Sequence, residues 1–140
     1  MKFAVGDADA LIALAVARDA NHKKAVEINN HLTKQNITIV FPNTAILEAT
    51  TSLYRVLNLS EAAQRINDQY LQGDITVEYI DEKIQHRAGK IFQESKSKKN
   101  TIFDAVVAAT AEKLGTDLIF SFDHFYKSQG LKLAGELQPD

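Results

Sequence analysis

Cysteine is absent from this chain of 140 residues. That excludes disulfide bridges and thiolate metal sites. Tryptophan is also absent, and the only two prolines are Pro42 and Pro139. No linker, repeat or low-complexity tract interrupts the chain. Long apolar runs are missing too. The longest covers residues 10–17, far short of the roughly 20 that span a bilayer. The apolar start breaks at Gly6-Asp7, so no signal-peptide core forms and a cytoplasmic location is expected. Neither sign of charge dominates: 16 Lys and Arg face 18 Asp and Glu, for a net charge of −2 and a pI near 6.1. A generally basic nucleic-acid surface is thereby disfavoured, although a local patch stays open. Four histidines (His22, His31, His86 and His124) have no ligand-like spacing.

Hydrophobic residues make up 45% and charged residues 24%, as in a soluble globular protein. The length suits a single domain over 1–140 with a real core. Residues 2–5 read as a buried strand and 8–17 as a helix. Asn21 heads a second helix to about Lys34, with Ala25, Ile28 and Leu32 on one face. A β-branched strand covers 37–41, and Pro42-Asn43-Thr44 starts a helix through Leu57. Ser60 and Glu61 open another, to about Leu71. Beyond Gly73, residues 75–80 alternate as a strand and 81–93 are helical. A polar loop covers 94–100, and a helix over 101–114 stops at Gly115. The strand 118–122, a short helical turn after Asp123 and a short strand over 131–133 follow. Strands separated by helices predict an α/β fold with parallel pairing and right-handed crossovers. A site is then expected beyond the carboxyl ends of the strands, where strand order reverses.

Asp7, Glu48, Asp104 and Asp123 fall on that edge, each beside or inside an apolar segment. Carboxylates are rarely buried unless paired or bound to a cation. No Lys or Arg sits in any of the four segments. Converging carboxylates would repel one another, and oxygen-only ligands suit a hard ion such as Mg²⁺ or Mn²⁺. Each acid also has a plainer role. Asp7 caps the helix from Ala8, and Asp123 caps the turn after it. Thr101 and Asp104 have the spacing of a capping box. Glu48 has the weakest alternative, because Thr44 and Ser52 offer it no helical ion pair. Asp9 reads first as a solvent-exposed first-turn acid and second as an auxiliary metal ligand. Ser121 lies two positions before Asp123, so in an extended segment both side chains face one way. His124 is expected on the surface of its turn. Phe41, Phe103, Phe120 and Phe122 are expected in the core. Lys96, Lys98 and Lys99 form a basic loop that is either a solvated connector or a hold for backbone phosphates.

Four ordered segments resemble the PIN-domain family, and within it the VapC-type toxin ribonucleases. The first runs from Phe3 through Asp7-Ala8-Asp9 to Leu14, followed by His22 to Ala25. The second is Phe41-Pro42-Asn43 through to Glu48. The third is Phe103-Asp104 through to Gly115. The fourth is Leu118 through Ser121-Phe122-Asp123 to Phe125. The resemblance covers essentially the whole chain, in order. It implies a three-layer α/β/α sandwich with a central parallel sheet. It further implies a Mg²⁺- or Mn²⁺-dependent endoribonuclease, a hydrolase. Asp7, Glu48, Asp104 and Asp123 are then metal ligands and catalytic acids, with Ser121 beside them, and Asp104 or Asp123 takes the water's proton. RNA is the implied substrate, with a homodimer and a cognate antitoxin as partners. One departure is Asp9, where the family more often has Ser, Thr or Asn.

Two rivals stand beside this reading. One is a phosphohydrolase with Asp7 as nucleophile, suggested by Asp7-x-Asp9 after the first strand. Position 11 is Leu rather than a hydroxyl residue, and no downstream Asp-Asp pair exists, which weighs against it. The other is a non-catalytic RNA- or protein-binding module, which the retained acids disfavour.

Overall fold

A computed structural model describes residues 1–137. Five strands form one sheet, in the order β3-β2-β1-β4-β5. They are β1 (Lys2–Gly6), β2 (Ile37–Pro42), β3 (Val77–Glu78), β4 (Leu118–Phe120) and β5 (Lys132–Leu133). Every neighbouring pair is parallel. The helices α1 (Ala8–Ala15), α2 (His22–Lys34), α3 (Asn43–Thr51) and α4 (Ser60–Leu71) belong to one layer. The helices α5 (Glu82–Glu94), α6 (Ile102–Leu114) and α7 (Phe125–Ser128) belong to the other. The result is the expected three-layer α/β/α sandwich. No helix among the described residues is long and apolar enough to cross a membrane.

Strand alternation builds the two apolar layers. Ala4, Leu118 and Phe120 face α1 and α2, whereas Val5 and Ile119 face α6. Alanine-rich α6 buries Ala105 to Ala111 continuously, because small side chains let it lie close to β1. Gly115 ends that helix in the left-handed region at φ 71°, as its position predicts.

Four boundaries differ from expectation. Helix α1 ends at Ala15, and Val16 turns extended with its N–H still donating to the Ile12 carbonyl. Helix α3 ends at Thr51 and continues as a π-helical turn over Ser52–Val56, closed by Leu57 N–H on the Ser52 carbonyl. Thr50 Oγ1 donates back to the Ile46 carbonyl in this region, a competition that loosens a helical ladder. Strand β3 shrinks to two residues because only Phe41 and Pro42 of β2 pair with it. Strand β4 stops at Phe120, so Ser121 and Asp123 sit in the loop beyond it.

The strands run outward from β1 in two directions, to β2 and β3 on one side and to β4 and β5 on the other. The order therefore reverses between β1 and β4. Their register pairs Gly6 with Phe120, which brings Asp7 level with Ser121 just beyond the sheet.

Candidate active site

Gly6 is where the site begins. A Cβ there would meet the Phe41 ring, with Cζ only 2.7 Å away, so no larger residue fits without displacing that ring. The bare glycine lets β2 and β1 close up immediately before Asp7. Asp7 then leaves the sheet in extended geometry. Its N–H donates to the Phe120 carbonyl at 3.1 Å, and its Oδ1 accepts the Ala8 N–H at 2.7 Å as the cap of α1. Its Oδ2 accepts the Tyr126 hydroxyl at 2.6 Å. Both groups are buried.

Two residues later Asp9 reaches across to the β4 loop. Its Oδ2 accepts the Phe122 N–H at 2.8 Å and the Ser121 hydroxyl at 2.9 Å. Ser121 has one proton to give, and Asp7 Oδ2 lies farther off at 3.4 Å, so Asp9 is its main acceptor. Ser121 Oγ in turn accepts the Asp123 N–H at 3.1 Å, and Asp123 Oδ1 accepts the Phe125 N–H at 2.9 Å. The loop after β4 is thus wound onto its own side chains. Asp104 completes a capping box on α6: Thr101 N–H donates to its Oδ2 at 2.9 Å, and Thr101 Oγ1 caps the helix in return. The cap role and the site position belong to one residue. Glu48 sits half-buried on α3, which packs against α1 and reaches α6.

Electrostatics unite the five acids. Burial pushes Asp7 up to about 7, helped by Asp9 and Asp104, while Tyr126 and the Ala8 amide pull the other way. Burial also lifts Glu48 to about 7, with Asp104 and Asp9 adding to the rise. Asp9 and Asp104 are raised chiefly by burial, and each also by the charge of Asp123. The Tyr126 hydroxyl is pushed well above its usual range by burial and then by Asp7. The ion pairs among the described residues join Arg87 to Glu112, Lys113 to Glu78, Lys127 to Glu136 and Lys132 to Asp117. None touches the five acids.

The four acids read from the sequence, with Ser121, therefore converge on one edge. Asp9 differs from its first expectation: it is largely covered rather than solvated, and its Oδ1 is buried without a hydrogen-bond partner. Tyr126 was not foreseen. Its signal was present, since a tyrosine three residues after Asp123 needs a partner for its hydroxyl if it folds inward. Phe41 and Phe120 are core, as expected. Phe103 is not; it lies 39% exposed beside Asp104, and Phe122 is only half-buried. His124 is exposed, as expected.

Among the described residues no group of three or more His, Cys, Asp or Glu side chains is placed so as to hold a metal ion. The donor set nonetheless fits a hard divalent cation. All donors are oxygens, burial and neighbouring charge raise the proton affinity of Asp7, Asp9, Glu48 and Asp104, no ion pair among the described residues reaches them, and one buried oxygen is unused.

Residues 4–128 match the PIN domain family. The chain belongs to that family. Among solved structures, the PIN domain described here is similar to the crystal structure of Mycobacterium tuberculosis VapC20, described as a sarcin-ricin loop cleaving toxin. The TM-score is 0.79 at 20% identity, and the match covers 94% of this chain and 97% of that one. At that identity the likeness is one of fold. No curated protein matches this PIN domain by sequence.

Proposed function

We propose that this PIN domain is a metal-dependent endoribonuclease acting in the cytoplasm as the toxin of a type II toxin–antitoxin pair, with 1–140 as its single domain. One observation carries the proposal. Asp7, Glu48, Asp104 and Asp123 converge with Ser121 at the point where strand order reverses, and no ion pair among the described residues neutralises them. Membership of the PIN family and the likeness to a toxin that cleaves the sarcin-ricin loop support RNA as the substrate class.

Asp7, Glu48, Asp104 and Asp123 are the residues that would hold Mg²⁺ or Mn²⁺. Such an ion, when bound, offsets charge on the phosphate and lowers the pKa of water enough to make it a nucleophile near neutral pH. The protein contributes positioning. Tyr126 and the Ala8 amide hold Asp7 in one orientation, and the Thr101 amide does the same for Asp104. Groups fixed before the substrate arrives need no reorganisation during reaction. Ser121 binds the β4 loop to the start of α1 and so holds Asp123 near the others. Leu47, Tyr54, Val56 and Leu57, on α3 and the turn after it, expose apolar surface. That surface supports contacts with a second copy and an antitoxin.

The phosphohydrolase alternative needs a hydroxyl residue at position 11 and a downstream Asp-Asp pair. Position 11 is Leu and no such pair exists, which leaves that reading the weaker one. The deciding experiment incubates structured RNA with the purified protein in Mn²⁺, in Mg²⁺ and in excess chelator. Cleavage to 5′-phosphate and 3′-hydroxyl ends is expected only with metal, and Asp7→Asn is expected to abolish it. Equal cleavage in chelator, or by Asp7→Asn, rejects the proposal. RNA binding without cleavage points to a binding module instead.

A further inference from the structure

The two oxygens of Asp9 have opposite surroundings. Oδ2 is fully engaged: the Phe122 amide at 2.8 Å and the Ser121 hydroxyl at 2.9 Å both donate to it. These two bonds cross from α1 to the loop after β4 and fix the carboxylate plane. Oδ1 is left buried without a hydrogen-bond partner. A buried oxygen without a donor is costly, and native proteins rarely keep one unless something else fills the gap. The acidic groups that interact with Asp9 are Asp7, Glu48 and Asp123. All are acceptors when ionised. With those groups ionised, a cation is the partner that satisfies that oxygen.

We propose that Asp9 is a fifth carboxylate ligand of the metal site, with Oδ1 as the ligating atom and Oδ2 as the fastening that aims it. The proposal rests on the metal-dependent reading above and extends it. The division of labour follows from chemistry: an oxygen with two donors has spent its lone pairs, whereas its twin is free and held in place. Ser121 then acts through Asp9 as a positioning residue, since its hydroxyl holds the fastened oxygen.

Asparagine separates the two roles. In Asp9→Asn the side-chain oxygen can still accept from Phe122 and Ser121, so the fastening survives. The amide nitrogen then occupies the place of Oδ1 and points two N–H donors at the neighbouring carboxylates. Metal-free protein should tolerate this change or melt higher, while the cation loses a ligand and meets a donor. Asp9→Ala removes fastening and ligand together. The experiment titrates Mn²⁺ alone into the whole protein by calorimetry, with thermal melts before and after addition, for wild type and both variants. The expected result is wild-type binding, with Mn²⁺ affinity weakened about tenfold or more in Asp9→Asn. The metal-free melt of Asp9→Asn should be unchanged or higher. If wild type binds Mn²⁺ and Asp9→Asn binds it with equal affinity and stoichiometry, Asp9 is only a fastening; the ligand role is overturned and the metal site stands. If Asp9→Ala alone loses affinity, the same conclusion follows. If wild type binds no Mn²⁺, the metal-dependent reading fails and takes this proposal with it.

Discussion

Asp7 and Asp81 do the same local job in different surroundings. Each caps a helix: Asp7 Oδ1 accepts the Ala8 amide on α1, and Asp81 Oδ1 accepts the Ile84 amide on α5. Asp81 lies in solvent, and its carboxyl is held below the usual range by that amide, aided by the charges of Lys113 and Lys83. Asp7 is buried among other acids and is pushed up to about 7. The helix start is equally served in both. What differs is the price of the charge: the protein stabilises ionised Asp81 and destabilises ionised Asp7. A capping role therefore does not explain a buried carboxylate away. A second cap, Asp104, carries the same lesson, since it completes a capping box and still belongs to the acidic cluster.

The largest effect expected from this contrast is on activity. Asp7→Asn should reduce metal-dependent RNA cleavage by about a hundredfold or more, the scale of losing a positioned catalytic group. It should also raise the melting temperature of metal-free protein, because a neutral isostere removes a repelled charge. Asp81→Ala should do the reverse, lowering the melting temperature by a few degrees and leaving cleavage intact. Equal cleavage loss in both variants would break the distinction.

Next comes the placement of Asp7. Gly6→Ala puts a methyl against the Phe41 ring, which is itself packed in the core. A cost of about 1–3 kcal/mol is expected from overpacking, with weaker Mn²⁺ binding as Asp7 shifts. Chemical denaturation with a parallel metal titration measures both. Unchanged stability would mean that the close approach of β1 and β2 is not what seats Asp7.

The pH response should have opposite signs at the two caps. Folded Asp7 and Glu48 hold protons up to about 7, whereas their ordinary values are 3.8 and 4.5. Between those limits the folded state binds more protons than the unfolded chain, so this contribution to stability falls as pH rises. It is complete below the ordinary values and gone above about 7. Asp81, lowered from 3.8, contributes above its ordinary value and loses that contribution as pH falls through its folded one. Metal-free melts should therefore be higher near pH 5 than near pH 8, with a smaller difference in Asp7→Asn. Mn²⁺ should raise the melting temperature most at the alkaline end, by mass action on the folded state, and Glu48→Gln should weaken that rise. Identical pH profiles for wild type and Asp7→Asn would contradict the assigned charge states.

The smallest effect concerns the exposed loop before α6. Replacing Lys96, Lys98 and Lys99 with Ala should weaken RNA binding without changing the cleavage site. It should flatten the dependence of log affinity on log salt by roughly two units, near 0.7 per lost contact on a single strand. Metal affinity should not change, since none of the three neighbours the acids through an ion pair. An unaltered salt slope would make the loop a solvated connector.

Much of the architecture was legible because its signals are local. Gly115 at the end of α6 and Thr101 and Asp104 at its start follow from backbone propensities that act within a few residues. The alternation over residues 75–80 predicts a longer strand than forms, because pairing is not local and β2 offers only Phe41 and Pro42 as partners there. The helix through Leu57 was legible as helical, but not its change to π geometry after Thr51. Residue type alone points Phe103 to the core, but its position in the first turn of α6 leaves it 39% exposed.

By itself the sequence determined the alternation of strands and helices, the absence of thiol chemistry, and the fall of four acids at one end of the apolar segments. Those follow from periodicity and residue type, which need no partner to be read. Tertiary structure alone decided that Asp9 joins the acids and that Tyr126 reaches Asp7. It also decided that Asp7 and Asp81, alike as caps, carry opposite electrostatics. The physical reason is that desolvation and charge repulsion depend on neighbours brought from distant parts of the chain, and no local pattern encodes them.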